Sequence, residues 1–259
     1  MATLDEVLER LERLDEAGDD QGLRDVLARA HVQFPDALEL REWEASLAVD
    51  QERFEEALAI LDRVLAADPR RPWARRERAS VLLDLGRLEE ALAALRELPR
   101  EPDPYERASV HHDEGLCLDH LGHADEADTE FRRAARLAPD AFPVPLRLSD
   151  ERFEALVAEA LDDIPDEFTR LLGQVVVRVR DYPAPADGEP FLLGLYVGVA
   201  RPERSLATED HLDHVLIFKR PHELRCTDET ALRDEVRRTV IHELGHHFGI
   251  PHDDMGEYE

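Results

Sequence analysis

The run TVIHELGHHFGIPHDD, residues 239–254, gathers the side chains best suited to chemistry in this chain of 259 residues. His242 and His246 stand four residues apart, so on a helix both imidazoles leave one face, one turn above the other. Two imidazoles so placed can share a metal ion. Glu243 follows the first, where its carboxylate can orient and deprotonate a water bound to that metal. Gly249 closes the helical pattern, since glycine accepts the left-handed conformation with which a chain turns off a helix. His252, three residues on, is thereby returned toward the same ion. Three protein ligands and an open fourth position define a catalytic rather than a structural zinc site. Zn2+ is the expected cofactor, although iron, cobalt or manganese would also accept three imidazoles. Asp253 and Asp254 are alternative third ligands.

Other titratable groups are weaker candidates. His247 is turned about 100° from His246 on a helix, which places it beside the site or on the surface. His211, His214 and His222 read as loop histidines. Any of these three, or Tyr196 or Tyr258, could steady the oxyanion of a tetrahedral intermediate, and the sequence does not choose among them. Cys117 and Cys226 lie far apart and lack ligand spacing to the cluster. Cys117 reads as buried filler, and two cysteines are too few for a disulfide framework, which points to a reducing compartment.

Several elements must position that cluster. The segment PDAFPVPLRLSD, 139–150, is rich in proline and reads as a linker. Ser149 or Asp150 then caps a helix, ERFEALVAEALDDIP, with Phe153, Leu156, Val157, Ala160 and Leu161 in one apolar stripe. A short turn is expected from Glu167 to Leu172. Three strands follow in QVVVRVRDYP, FLLGLYVGVA (191–200) and HVLIFKRP (214–221). A long helix, capped by Thr227 or Asp228, carries the histidines. The order helix, strand, strand, strand, helix describes a small α+β domain.

Residues 1–140 read differently, as helix after helix. Ala57, Ala91 and Ala127 take the same place in three similar segments, at steps of 34 and 36 residues. Leu61, Leu95 and Phe131 follow each alanine, and Leu85-Gly86 and Leu121-Gly122 supply turns between helices. Ala45, Ala79 and Gly115 are the small residues on the preceding helices, and Pro69 and Pro139 close the units. A degenerate fourth unit spans 4–35, with Gly18 in its turn and Pro35 at its end. Trp43 and Trp73 read as packing residues. His111 and His112, being adjacent on a helix, are poorly placed to share a metal.

The charge balance limits partners. Sixty acidic against 32 basic residues give a formal charge of -28, a field that repels phosphates and argues against nucleic acid and anionic membranes. The acidic amphipathic start lacks the features of a signal peptide, and no stretch approaches a membrane span, so a cytoplasmic protein is expected.

Two resemblances follow from these motifs. The first half resembles the tetratricopeptide repeat, which implies an all-α solenoid whose concave face holds a peptide or protein partner. The alternative is that the repeats only extend or orient the rest. In the second half, FEALVAEALDDIPDEF, VVVRVRDYP, LLGLYVGV, HVLIFKRP and EVRRTVIHELGHHFGI resemble the bacterial minimal zincin-like metallopeptidase family. That resemblance implies a short mixed sheet beside the HExxH helix, with ligands at His242 and His246, the base at Glu243 and a third ligand at the place of His252. Asp is common there; a histidine resembles the metzincin form HExxHxxGxxH. Only seven residues follow His252, too few for a Met-turn, and Met255 stands too close to serve as one.

The expectation is therefore a multidomain chain. A tetratricopeptide-like repeat domain (1–140) leads through a linker (141–150) to a zincin-like α+β domain (151–259). Its expected activity is zinc-dependent peptide-bond hydrolysis. The alternative is a protein-interaction module with a structural or inactive metal site, which Glu243 disfavours because a structural site needs no carboxylate beside the metal.

Overall fold

The computed structural model describes residues 2–99, 103–164, 175–198 and 213–250. It divides into two compact units, Met1–Leu137 and Ala138–Glu259.

The first unit is a run of helical hairpins. These pair α1 (Leu4–Glu16) with α2 (Asp20–Gln33), α3 (Leu38–Asp50) with α4 (Phe54–Ala67), α5 (Pro72–Asp84) with α6 (Leu88–Arg96), and α7 (Pro104–His120) with α8 (Ala124–Leu137). Thr3 and Glu6 form a reciprocal cap on α1. Ala45, Ala57, Ala79, Ala91 and Ala127 are fully or almost fully buried, because their small side chains let neighbouring helices approach, while Leu61, Leu95 and Phe131 fill the seams. Trp43 packs on the first core as expected. Trp73 does not: it is 38% exposed and lines a shallow groove with Trp43, Glu39 and Glu42. Cys117 is buried, and burial pushes its thiol up to about 12, which fits inert filler.

The second unit places α9 (Asp150–Asp162), α10 (Lys219–Arg225) and α11 (Glu229–Phe248) with a sheet of β1 (Val176–Arg180), β2 (Gly194–Val197) and β3 (His214–Phe218). The strand order is β1-β3-β2, with β1 parallel and β2 antiparallel to β3. As the middle strand, β3 is buried on both faces at Val215, Leu216, Ile217 and Phe218, and so reads as an unbroken apolar run. The capping alternatives resolve to Ser149, which accepts from the Arg152 N–H, and Asp228, which accepts from Thr230 and Ala231.

Two expectations need correction. The third strand stops at Phe218, and Lys219, Arg220 and Pro221 open α10, a short helix in which Lys219, Arg220 and Glu223 are buried. The proline sits near the start of that helix, where its missing N–H costs nothing. The proline-rich segment before α9 is also fixed in place. Leu146 and Leu148 pack on the core of the second unit. Their backbone N–H groups donate to the Glu223 carbonyl (3.3 Å) and to Glu223 Oε1 (2.7 Å), and Arg220 pairs with the same carboxylate. The expected turn at 167–172 lies outside the described residues. Among the described residues, no helix is long and apolar enough to cross a membrane.

Candidate metal centre

Leu232, Val236, Val240 and Leu244 recur every fourth residue of α11 and pack with Phe153, Leu156 and Val157 of α9 and Val215 and Ile217 of β3. This stripe fixes the roll of the helix. Thr239, His242, Glu243 and His246 then fall on an adjacent face by their own spacing of three and four. His242 and His246 are half-buried with ring centroids 4.9 Å apart. Glu243 is buried, at 7% exposure.

The edge strand β2 covers that carboxylate. A Cβ placed on Gly194 would stand 2.7 Å from Glu243 Cγ and 2.7 Å from Thr239 Cγ2, so only a residue without a side chain lets strand and helix approach this closely. The Tyr196 backbone N–H donates to Glu243. Burial raises the pKa of Glu243 above the ordinary carboxylate value, with His242 and the Tyr196 N–H acting in the opposite sense. Beside it opens a cleft of about 530 Å³. Its walls include Phe191, Leu192 and Gly194 on one side and Thr239, His242 and Glu243 on the other.

The helix ends as its sequence requires. Gly249 has φ 73 and ψ 25, in the left-handed region. Its N–H donates to the His246 carbonyl (3.0 Å) and that of Ile250 to the Gly245 carbonyl (3.1 Å), the double closure of a Schellman turn. The structure thus brings His242, Glu243 and His246 onto one face. His252, Asp253, Asp254, Met255 and Tyr258 lie outside the described residues, as does His211.

Three candidates are placed elsewhere. His247 is only 1% exposed, so the surface reading fails. It follows Val240 by seven residues and Leu244 by three, and therefore joins the inward stripe. Its Nδ1 lies 2.7 Å from Asp213 Oδ2, which also accepts from the Tyr196 hydroxyl at 2.8 Å. That bond directs the hydroxyl of Tyr196 into this buried network. His222 is no loop histidine but a fully buried residue of α10. Its Nδ1–H donates to the Phe218 carbonyl (2.7 Å) and its Nε2 faces the Thr239 hydroxyl at 3.0 Å. His214 begins β3. Asp213, missed in the sequence, sits at the end of a long connection and carried no motif.

Known families match both halves. Residues 172–259 match the zincin-like metallopeptidase family, and residues 48–112 and 108–141 match tetratricopeptide repeats. A zincin-like metallopeptidase domain follows tetratricopeptide repeats in this chain. Among solved structures, MamA of AMB-1 is 22% identical with a TM-score of 0.44, covering 53% of this chain and 80% of its own. A MamA from Desulfovibrio magneticus RS-1, spanning residue 41 to its end, is 15% identical with a TM-score of 0.47, covering 60% of this chain and 80% of its own. YrrB, a tetratricopeptide-repeat protein with an unusual peptide-binding site, is 17% identical with a TM-score of 0.45, covering 52% of this chain and 69% of its own. No curated protein matches the chain. The zincin-like match implies a metal, typically zinc, and the donor set agrees. Two imidazoles stand one turn apart on a half-buried face, ahead of a left-handed glycine that ends the helix.

Proposed function

We propose that the second unit is a zinc-dependent peptidase with Glu243 as its general base and His242, His246 and His252 as metal ligands. The observation that carries this reading is the carboxylate of Glu243. It is buried against an edge strand, raised in pKa, and opens onto a cleft that His242 also lines. A bare structural site would gain nothing from a buried acid held there at a desolvation cost. Zinc, when bound, supplies Lewis acidity to the scissile carbonyl and to the attacking water. The chain's own residues do the rest. Glu243 takes a proton from water on a carboxylate oxygen and returns it to the nitrogen of the leaving amine. Its raised pKa brings it closer to the working pH, where both transfers are easiest. Gly194 packs closely against the Glu243 side chain, and the Tyr196 N–H bonds to its carboxylate.

A peptide is the favoured substrate because β2, the strand over Glu243, is an edge of the described sheet. An extended chain can add to such an edge through main-chain hydrogen bonds, which brings a backbone amide past Glu243. In this proposal the repeats, over about residues 1–140, recruit a peptide or protein. The hydrolytic domain runs from 151 to 259, strapped by the segment before it.

The test is cleavage of a peptide library by zinc-loaded protein beside Glu243→Gln, with metal content measured in both. Cleavage by the parent alone, at equal zinc, supports the proposal. Equal zinc with no cleavage by either protein refutes the peptidase and favours an interaction module with an inactive metal site.

A further inference from the structure

The last hairpin of the repeats carries, at three places, a combination that neither of the two before it has. Three residues after the repeated alanine, the first two units carry Ile60 and Ala94, whereas the last carries Glu130. Four residues before the small residue of the preceding helix stand Arg41 and Arg75, then His111. One residue before it stand Glu44 and Arg78, then Glu114. A histidine and two carboxylates thus replace a mixture that could not bind a cation.

The fold brings these three together. His111 and Glu114 share a face of α7 by their spacing of three. A Cβ on Gly115 would stand 2.7 Å from the Phe131 ring, so α7 and α8 approach closely at this point, and Glu130, the neighbour of Phe131, is delivered to His111. One ligand atom from each of His111, Glu114 and Glu130 lies within 4.8 Å of the others. His111 Nδ1 is 2.8 Å from Glu130 Oε2, and the Glu130 side chain is only 12% exposed. Glu114 is half-buried, with neither a hydrogen bond nor an ion pair from its side chain among the described residues. Its pKa is raised by burial and then by Glu130. Arg133 offsets one of the two carboxylates by pairing with Glu130 Oε1 at 2.6 Å.

We infer that His111, Glu114 and Glu130 form a second cation site, for a divalent transition metal taking one nitrogen and carboxylate oxygens. Its donor set suits Zn2+ or Co2+. Bound there, the ion links α7 to α8, replaces the His111–Glu130 hydrogen bond and neutralises the paired carboxylates. Because metal binding favours the folded state, it stabilises the terminal repeat. This site is independent of the HExxH cluster, which lies in the other unit.

The experiment is a titration of the full chain with Co2+, read by its visible absorption and by metal content after gel filtration. Excess Mg2+ occupies exposed carboxylates throughout. The parent is expected to hold one ion more than His111→Ala/Glu130→Gln, and His242→Ala/His246→Ala is expected to retain the ion on the repeats. Glu114→Gln, which preserves shape, should weaken that ion by about tenfold or more, with helical circular dichroism unchanged. Equal stoichiometry in the parent and the His111→Ala/Glu130→Gln variant overturns the proposal. So does a Glu114→Gln affinity equal to the parent's, even if the double variant fails to fold. Loss of the peptidase reading alone would appear instead as a parent whose only ion survives His242→Ala/His246→Ala.

Discussion

Gly194 of β2 and Glu243 of α11 are in such close contact that a methyl group on the glycine would meet Glu243 Cγ at 2.7 Å and Oε1 at 2.9 Å. Strand edge and proposed base are therefore one mechanical unit. Gly194→Ala must push either the carboxylate or the strand aside, and overpacking of this kind costs about 1–3 kcal/mol. The expected outcome is a lowered Tm and a kcat/KM reduced by about tenfold or more, through misplacement of the base. Zinc content should hold. Steady-state kinetics beside metal analysis checks this, and unchanged kcat/KM would separate the strand from the chemistry.

The sequence carried the HExxH face and the repeats because each repeats a pattern at helical spacing, with apolar stripes that fix which way the side chains turn. The stripe Leu232, Val236, Val240 and Leu244 placed His242, Glu243 and His246 together. It also buried His247, a consequence of the same spacing that adjacency to His246 obscured. Asp213 and Tyr196 could not be read in this way. Their meeting depends on β2 and β3 being antiparallel neighbours, with partners Tyr196↔Val215 and Val197↔His214, and pairing of that kind is set by tertiary packing. The short helix α10 was hidden for a related reason. Residues 219–221 read as the end of the third strand and His222 as a loop residue, yet Arg220, Glu223 and His222 are buried because each finds a partner.

Burial lowers the pKa of His222 to about 4, opposed only by its bond to the Phe218 carbonyl. The unfolded imidazole titrates at about 6.5. Between these values the unfolded chain binds the proton and the folded one does not, so stability rises with pH. The contribution is complete above about 6.5, is lost as pH falls toward 4, and amounts to about 3 kcal/mol. In His222→Leu the acid-side slope of Tm between those limits should flatten, whatever the variant's absolute stability. A slope identical to the parent's would assign the acid sensitivity to other groups.

Asp213, at 2% exposure, accepts hydrogen bonds from both His247 and Tyr196. Removing His247 leaves a buried carboxylate with one donor fewer, and His247→Ala should cost about 3–5 kcal/mol. Tyr196→Phe removes the hydroxyl's bond to Asp213 and its longer contact with His247 Nδ1 (3.4 Å), and should cost about 1–3 kcal/mol. The kinetic consequence distinguishes two roles for the tyrosine. A lost oxyanion donor lowers kcat by about 10²–10³, whereas a hydroxyl committed to Asp213 should leave kcat within about tenfold of the parent. Denaturant melts and kcat for both variants decide it. A hundredfold fall in kcat for a Tyr196→Phe protein of near-parent stability would return the hydroxyl to the reacting centre.

Gly249 ends α11 three residues before His252, the proposed third ligand. At φ 73 and ψ 25 it closes α11, and the Ile250 N–H bonds back to Gly245. Any side chain there bears the cost of the left-handed conformation, about 1–2 kcal/mol for alanine and less for asparagine, which visits that region more readily. If the turn also delivers His252, the strain is shared between the helix end and metal binding. Gly249→Ala should then lower both Tm in the absence of metal and affinity for zinc, with Gly249→Asn intermediate in each. Competition with a chromogenic chelator, beside thermal melting of the metal-free proteins, measures the two effects separately. A fall in Tm with parental zinc affinity would mean that the turn terminates the helix without positioning the ligand, and Asp253 or Asp254 would then be tested as the third donor.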